Sequence, residues 1–385
     1  LLADCRYKVY EVAGMVGSLL STEGYIEPDA DAACSLFDWQ ERFVSQEDGS
    51  WINDVVGHSW KGITVFGAAA LAEAIKHGAD VLPSKDLQRM KARLRRAADF
   101  MRDTFKLGYG NINYPVTASF SLALCAQVLE DDSLAERARY FAHGALKYLT
   151  PKSKLLFGES NPLDIKTPKG CYAVDLGYNV EESLPALVNY AKLTGDEEVL
   201  EAAEKSMRSH LEFMLADGAW DNSWGMRNFK WTYWGSRTSD GCSAALAALA
   251  DRDPVFYKAA LRNTQLLERC TADNLLYGGL DFRKHGIPAC VHHTFAHAKV
   301  MADVLSMGRI PVPNLDSAKL PREKEYGVKF FDEIQTALVS VGDYRATVTG
   351  YDLDYYNLKN GHASGGAISM LWHKKAGPII VASLN

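Results

Sequence analysis

The chain has 385 residues, of which 47% are apolar and 23% are charged, and its formal net charge is −6 at pH 7. These values are typical of a globular protein with a large core and enough length for two domains. The acidic balance gives no indication of nucleic acid or an anionic membrane surface as a partner, and no apolar run is long enough to predict a membrane span.

The cysteines and the first residues give little further direction. Seven cysteines are scattered along the chain without CxxC spacing, so neither a disulfide framework nor a zinc cluster is predicted. The first residues lack the basic start and long apolar run of a signal peptide. The chain is expected to start after any leader, and a periplasmic or secreted location is inferred only from the kind of substrate predicted below.

Helical periodicity dominates the chain up to residue 308. An N-terminal pair of helices is predicted at 7–20 and 30–46. Five helices rich in small residues then alternate with four charged amphipathic helices, which begin near Asp86, Asp132, Asp196 and Asp253. The small-residue helices are predicted at 60–75, 116–129, 181–193, 240–250 and 294–305, and the charged helices at 87–104, 132–149, 197–215 and 254–269.

The two classes of helix predict an architecture. A helix that is apolar all round, such as the Ala-rich stretch at 244–250, is buried on every side, whereas a charged amphipathic helix keeps one wet face. An inner ring of small-residue helices inside an outer ring of amphipathic helices meets both demands. We therefore predict a mainly α fold, an (α/α) toroid of helical hairpins at 1–308, with an open superhelical solenoid as the alternative.

The pattern changes after residue 308. Prolines mark a predicted linker at 309–325, and beyond it the hydrophobic period shortens towards two. Residues 326–385 are predicted to be the N-terminal part of an antiparallel β-sandwich, and the chain is expected to continue because its last strand has no closing element. The predicted strands are 327–331, 336–341, 344–349, 368–372 and 378–383.

A long aromatic and cationic connection lies between two predicted helices at 220–241. It holds four Trp, one Tyr, one Phe, two Arg and one Lys, and its apolar residues follow no regular period. Flat apolar faces beside Arg and Lys suit a ring-shaped ligand that carries an anion, such as an acidic sugar. The alternative is that these aromatics fix the loop onto its own domain.

Other loops that enter the small-residue helices also carry His, Asn, Tyr and Trp. In a toroid these loops meet on one rim, so the polar and aromatic groups would converge on one cleft. Such a cleft suits β-elimination from a uronic acid: Asn, Arg or protonated His offsets the carboxylate charge, and Tyr or His moves the proton. The catalytic candidates are Tyr233, Arg237, Tyr178, Asn179, His292, His293 and His58, and the substrate-binding candidates are Trp60, Asn113, Tyr114, Trp224, Arg227, Lys230, Trp231 and Trp234.

Two other functions remain open from the residues alone. The first is a glycoside hydrolase that acts on an acidic oligosaccharide through two carboxylates, and the second is a carbohydrate-binding protein without catalysis. His293 and His297 lie one helical turn apart, but no HExxH pattern or third ligand accompanies them, so no metal and no cofactor is predicted. The carboxylates available to a hydrolase are Asp54, Asp175, Glu181, Glu182, Asp221 and Asp240.

The order of a helical toroid with Tyr, His and Asn loops, a proline-containing linker and a β domain resembles the heparinase II/III-type and related polysaccharide lyases. The segment 360–367, followed by Trp372-His373, looks like the opening strands of their sandwich. The resemblance covers the architecture of the whole chain, without a diagnostic motif. It implies a polysaccharide lyase that cleaves a uronate-containing glycan. Unsaturated-glucuronyl hydrolases share the toroid but lack the appended sandwich.

Overall fold

The computed structural model describes residues 30–53, 55, 59–227, 243–289, 291–352 and 363–382. The predicted helix at 7–20 lies outside them. Two compact units are present, each built from three stretches of chain. The first unit lies within Leu1–Lys147, Ala186–Leu200 and Val291–Ile310, and the second within Tyr148–Pro185, Glu201–Cys290 and Pro311–Asn385.

Paired helices make up most of the first unit. Helix α2 packs on both α3 and α4, and α4 packs on α5. This arrangement is the alternation of inner and outer helices that the sequence predicts. The helices are α1 (Ala30–Phe43), α2 (Thr64–Gly78), α3 (Ser84–Thr104), α4 (Asn113–Leu129) and α5 (Asp132–Ala145).

Burial separates the two helix classes as expected. In α2 the run from Ala68 to Ala72 is almost completely buried, because Ala side chains allow neighbouring helices to approach on all sides. In α3, Met90, Leu94 and Met101 are buried on one face while charged residues cover the other. The predicted helices are present in these segments, with ends shifted by up to four residues; α2, for example, begins at Thr64 and not at residue 60. The cap of α5 also shifts: Asp131, one residue before the predicted Asp132, accepts a hydrogen bond from the Ser133 amide.

A buried arginine of α3 holds the loop that precedes α2. Arg93 is 1% exposed and donates to the carbonyl oxygens of Gly49 and Ser50 at 2.8 and 2.9 Å. Its guanidinium lies 3.8 Å from the ring centroid of Trp51, and its Nε donates to Glu41 at 2.8 Å. These contacts satisfy the charge inside the protein and fix the start of the loop.

The second half of the helical region begins with an irregular turn. A single helical turn, Leu176–Tyr178, leads into a π-helical turn, Asn179–Ser183, and then into α6 (Leu184–Thr194). A short hairpin of β1 (Thr271–Ala272) and β2 (Leu275–Leu276) follows the helix at Pro254–Arg269. The remaining helices are α7 (Glu197–His210), α8 (Ser243–Ala248), α9 (Pro254–Arg269), α10 (Phe282–His285) and α11 (Val291–Ser306).

The C-terminal part of the second unit is an antiparallel sheet with strand order β3-β4-β5-β6-β7. Neighbouring strands in the sheet are neighbours in sequence, and the β4–β5 connection is the predicted turn at Gly342 and Asp343. All five predicted strands are confirmed within about two residues. They are β3 (Gly327–Phe331), β4 (Thr336–Val341), β5 (Tyr344–Thr349), β6 (Ala367–His373) and β7 (Gly377–Val381).

The two faces of this sheet differ in exposure. Leu338, Thr347 and Met370 are paired across adjacent strands and are buried on one face. The other face carries apolar side chains that are exposed in the described residues: Val328, Phe330, Val341, Tyr344, Ile368 and Ile380. One layer of the predicted sandwich is thus present. Among the described helices, none combines the length and apolarity needed to cross a bilayer.

Candidate active site

A buried ion cluster lies in the second unit, where the connection at 220–241 begins. The guanidinium of Arg227 donates from Nε to Asp175 Oδ2 at 2.7 Å and from Nη2 to Glu159 Oε2. All three side chains are at most 4% exposed. The backbone of Arg227 has a φ of 53°, in the left-handed region that side chains other than Gly seldom adopt. Two buried carboxylates on one guanidinium therefore fix the chain at the entry to the connection.

Tyr178 lies directly against this cluster. The Arg227 guanidinium carbon is 4.1 Å from the centroid of the Tyr178 ring, within cation–π range. Asp175 caps the helical turn and accepts a hydrogen bond from the Tyr178 amide at 3.2 Å. Tyr178 itself is half-buried. Its position is consequently fixed both through the backbone and through the face of its ring.

The pKa of the Glu159 carboxyl is raised above its ordinary value. Burial raises the pKa of Glu159 to about 7, and the nearby Asp175 and Glu182 carboxylates add to the rise, while Arg227 opposes it. Its Oε1 atom is buried and has no hydrogen-bond partner among the described residues. One guanidinium cannot balance several carboxylates in a dry site, so Glu159 takes up a proton near neutral pH.

Asn179 follows Tyr178 and is completely buried. Its Nδ2 group donates to the Leu156 carbonyl at 2.8 Å and to His210 Nε2 at 3.0 Å. The tautomer of His210 follows from its other nitrogen, because Nδ1 lies 2.8 Å from the Ser206 carbonyl and must donate there. Burial lowers the pKa of His210 to about 4, so the imidazole is neutral and accepts from Asn179. Both amide hydrogens of Asn179 are thus engaged inside the protein.

A second aromatic group lies in the first unit. The Trp60 ring stacks on Tyr109 with centroids 5.4 Å apart and meets the Tyr114 ring edge-on at 5.3 Å. Tyr109 in turn stacks on the buried Phe105 at 4.0 Å. The Trp60 amide donates to Asn53 Oδ1 at 3.2 Å. Trp60 is 39% exposed, so part of its indole faces solvent.

The structure places several predicted site residues in other roles. Trp224, expected to stack on a sugar, is 1% exposed and packs between Phe213 and Tyr351, which leaves no ring face for a ligand. Arg227, expected to bind substrate, is committed to its ion cluster. Asn179, expected to donate to a uronate carboxylate, has both amide hydrogens in use.

Of the other predicted residues, Tyr178, Trp60 and Tyr114 are partly exposed, Asn113 is buried, and the rest fall outside the described side chains. Trp60 and Tyr114 come together, and Asn113, the first residue of α4, is 2% exposed. Among the described residues no group of three His, Cys, Asp or Glu could hold a metal ion. The predicted residues outside the described side chains are His58, Lys230, Trp231, Tyr233, Trp234, Arg237, His292 and His293.

Three residues of the candidate site were not predicted from the sequence. Glu159 lies in an irregular segment with no period, and only its position among loop residues could have indicated a role. His210 ends an amphipathic helix and looks like an ordinary basic residue of the last turn. Tyr109 belongs to a Gly-Tyr-Gly-Asn loop just before a small-residue helix, so its aromatic ring in a loop was a usable signal.

Comparison with known protein families shows which family the chain belongs to. Residues 22–323 match the ulvan lyase N-terminal domain, and residues 328–385 match the ulvan lyase C-terminal domain. The first match alone covers well over half of the chain, and the two follow each other in order. The chain belongs to the ulvan lyase family.

One curated relative of this ulvan lyase family chain is a broad-specificity ulvan lyase from Formosa agariphila. The two are 45% identical over 384 residues. The match covers 99% of this chain and 59% of the relative, so the chain spans about three fifths of that protein's length. The predicted resemblance to polysaccharide lyases is thus confirmed as a family relationship, whereas the finer likeness to heparinase II/III-type enzymes is not confirmed.

Solved structures with the same fold extend the comparison beyond this family. A sugar epimerase from a ruminal bacterium covers 78% of the chain at 13% identity, with a TM-score of 0.57 and 88% of its own length matched. A family 88 glycosyl hydrolase from Bacteroides vulgatus covers 79% at 11% identity, with a TM-score of 0.55 and 92% of its length matched. At such identities the likeness concerns the fold alone. It confirms the predicted class of a mainly helical (α/α)-toroid protein with a C-terminal antiparallel sheet.

Proposed function

We propose that the protein is a polysaccharide lyase that cleaves ulvan next to its uronic acid residues by β-elimination. The observation that carries the proposal is the near-complete match to a curated ulvan lyase, at 45% identity over 99% of the chain. The two family matches support the same activity. The proposed partner is thus an acidic polysaccharide, and a polymer of this size places the reaction outside the cytoplasm, in the periplasm or the medium.

The reaction needs three groups from the protein. A donor next to the uronate carboxylate stabilises the negative charge that develops there, and this lets a base remove the C5 proton. The electron pair of that C–H bond forms the C4=C5 double bond as the C4–O4 bond breaks. An acid then protonates the leaving oxygen. The products are a new chain end and a 4,5-unsaturated uronate.

Among the described residues, Tyr178 is our candidate for proton transfer. It is half-buried, stands on a capped helical turn, and has a guanidinium against its ring face at 4.1 Å. A fixed position is what proton transfer demands of a side chain. We assign Arg227, Asp175 and Glu159 to positioning Tyr178 and the connection, without substrate contact. Tyr233, Arg237, His58, His292 and His293 remain proposed catalytic residues, and Lys230, Trp231 and Trp234 remain proposed substrate contacts.

Two of the six candidate hydrolase carboxylates, Asp175 and Asp221, are buried, which argues against their use in hydrolase chemistry. Asp175 is 0% and Asp221 is 3% exposed, and each carboxylate is paired with an arginine. A glycosidase needs two carboxyl groups that flank the scissile bond in an accessible cleft. Asp175 and Asp221 are buried and paired, so they cannot act as the two carboxyl groups of a glycosidase. We keep the likeness to heparinase II/III enzymes, and the division at 309–325, as proposals about architecture.

The test is incubation of the purified protein with ulvan while the ultraviolet absorbance of the 4,5-unsaturated uronate is followed. We expect absorbance and new reducing ends to rise together. New reducing ends without absorbance would show hydrolysis, and neither signal together with retained binding would show a non-catalytic binding protein.

The role of Tyr178 is tested by Tyr178→Phe, which removes the hydroxyl and keeps the ring on Arg227. If the hydroxyl moves a proton, turnover falls by about 100-fold or more while KM changes little. Tyr140→Phe, a change at an exposed tyrosine of α5, is the matched control. Wild-type turnover in folded Tyr178→Phe would remove this residue from the mechanism.

A further inference from the structure

The Trp60 ring lies in a cradle that only glycine permits. A Cβ atom added to Gly62 would stand 2.4 Å from Trp60 Nε1. One added to Gly110 would stand 3.0 Å from both Trp60 Cζ2 and Tyr114 Cδ2, and Gly110 also has a φ of 69°. Two neighbouring backbone segments therefore approach the indole more closely than any side chain allows. Because the ring fills both spaces, its orientation is set by backbone as well as by its aromatic neighbours.

The other sides of the ring are defined as well. Tyr109 backs one face, with an angle of 28° between the two ring planes, and Tyr109 is itself held by the buried Phe105. Tyr114 closes an edge. Trp60 still exposes 39% of its surface. The indole is therefore supported on several sides and keeps a part open to solvent.

Polar groups accompany the platform. Lys61, the residue after Trp60, forms an exposed ion pair with Asp48 at 2.6 Å. Burial raises the pKa of the Tyr109 phenol, and the Asp48 carboxylate raises it further. The phenol thus stays protonated at working pH and can donate a hydrogen bond. A partly exposed indole with a charged Lys61–Asp48 pair at the next residue suits a sugar ring, whose C–H face is apolar and whose edge is polar.

From this geometry we propose that Trp60, backed by Tyr109 and seated against Gly62 and Gly110, is a preformed subsite that stacks one pyranose ring of the bound glycan. The occupant is a sugar ring recognised by its C–H face, so the subsite accepts a neutral ring as well as an acidic one. The proposal rests on the proposed function for the identity of the glycan. It goes beyond that function in assigning a binding position that needs no uronate carboxylate and no turnover.

The test uses ulvan whose uronate carboxyl groups have been reduced to alcohols. This polymer cannot undergo the elimination, because the acidifying carboxylate is gone, but its rings can still stack. Binding is measured by quenching of tryptophan fluorescence and by retardation in gels that contain the reduced polymer. Wild-type protein is expected to bind it, and Trp60→Ala is expected to weaken binding about tenfold or more, the cost of losing one buried aromatic anchor.

Gly62→Ala is the sharper variant, because it keeps the indole and displaces it from its seat. It should weaken binding to a similar degree. Trp39→Ala, at another partly exposed Trp of the first unit that contacts Phe43 at 5.3 Å, should bind like wild type. Melting temperatures show that each variant is folded.

Wild-type affinity in Trp60→Ala or Gly62→Ala, or failure of the wild type to bind the reduced polymer, would overturn the subsite. The lyase proposal is judged separately, on intact ulvan. If the protein had no lyase activity on intact ulvan, binding to the reduced polymer could still be measured and would still test the subsite.

Discussion

Single residues in the second unit show how buried charge can fix a loop. Arg227 joins Asp175, 52 residues earlier, and Glu159, 68 residues earlier. Neither carboxylate is exposed, so each charge depends on this one guanidinium for compensation. The raised pKa of Glu159 means that the cluster does not keep a constant charge across neutral pH.

The pKa of Glu159 gives a pH prediction. Its folded-state pKa of about 7 lies above the ordinary value of 4.5, so the proton is bound more tightly in the folded protein. The resulting stabilisation is fully present below pH 4.5 and is lost as the pH rises through about 7. Glu159→Gln cannot ionise and should not show this loss. Between pH 5 and pH 8 we expect wild-type stability to fall relative to the variant by a few kcal/mol, on the order set by about 1.4 kcal/mol per pKa unit.

Urea unfolding at a series of pH values measures this difference. Glu201→Gln is the control, since Glu201 is 55% exposed and pairs only at the surface with Lys205. Its pH profile should follow that of the wild type. Parallel profiles for wild type and Glu159→Gln would show that Glu159 is ionised throughout.

At the scale of elements, the side-chain amide of Asn179 holds the irregular turn before α6. Asn179 begins the π-helical turn, and its two N–H bonds reach Leu156 and His210 on other segments. An extra residue in a helical turn changes which side chains face inward, and such turns frequently occur at functional sites. Here the inward residue is structural, while Tyr178, one position earlier, is more exposed.

Asn179→Ala is therefore expected to reduce stability more than it reduces chemistry. It leaves the Leu156 carbonyl and His210 Nε2 buried without their donor, at a cost of about 1–3 kcal/mol for each group. The free energy of unfolding from denaturant titration measures the loss. Asn314→Ala removes only an exposed hydrogen bond from the Asp316 amide, so it should cost much less. A stable Asn179→Ala protein with turnover reduced by orders of magnitude would instead make Asn179 a catalytic group.

At the scale of the molecule, the fold consists of two units, and the second combines helices with the sheet. Within that unit Asp221, at the start of the aromatic connection, accepts from Arg322 at 3.0 Å and from Thr347 of β5. Arg322 and Asp221 side chains are 0% exposed. The sheet is therefore tied to the connection by a buried ion pair and by the Arg322–Thr347 hydrogen bond of 2.7 Å.

A double-mutant cycle tests this tie. Asp221→Leu and Arg322→Met each leave one buried charge without its partner, and each should destabilise the protein by about 3–5 kcal/mol. The double variant removes both charges, so its loss should be well below the sum of the two. Additive losses in urea unfolding would show that the pair does not interact. Glu201 and Lys205, paired at the surface, should give a coupling below about 0.5 kcal/mol.

Much of the architecture was determined by the sequence alone. Helices α2 and α4 were recognisable because small and apolar residues occupy all sides of each helix, and α3 was recognisable because one of its faces is charged. Strands β3 to β5 were recognisable because their apolar residues alternate with a period of two. Periodicity is a local property, so it can be read without knowing what lies opposite. The aromatic pairing of Trp60 with Tyr114 was anticipated only as convergence on a rim.

The site was decided by tertiary structure. Nothing local distinguishes Trp224, which is buried, from Trp60, which is partly exposed, because each lies in a loop beside polar residues. Nor could sequence reveal that Asn179 uses both amide hydrogens internally, or that Arg227 meets two carboxylates 52 and 68 residues away. Exposure and ion pairing depend on segments far apart in the chain, which meet only once the helices have packed.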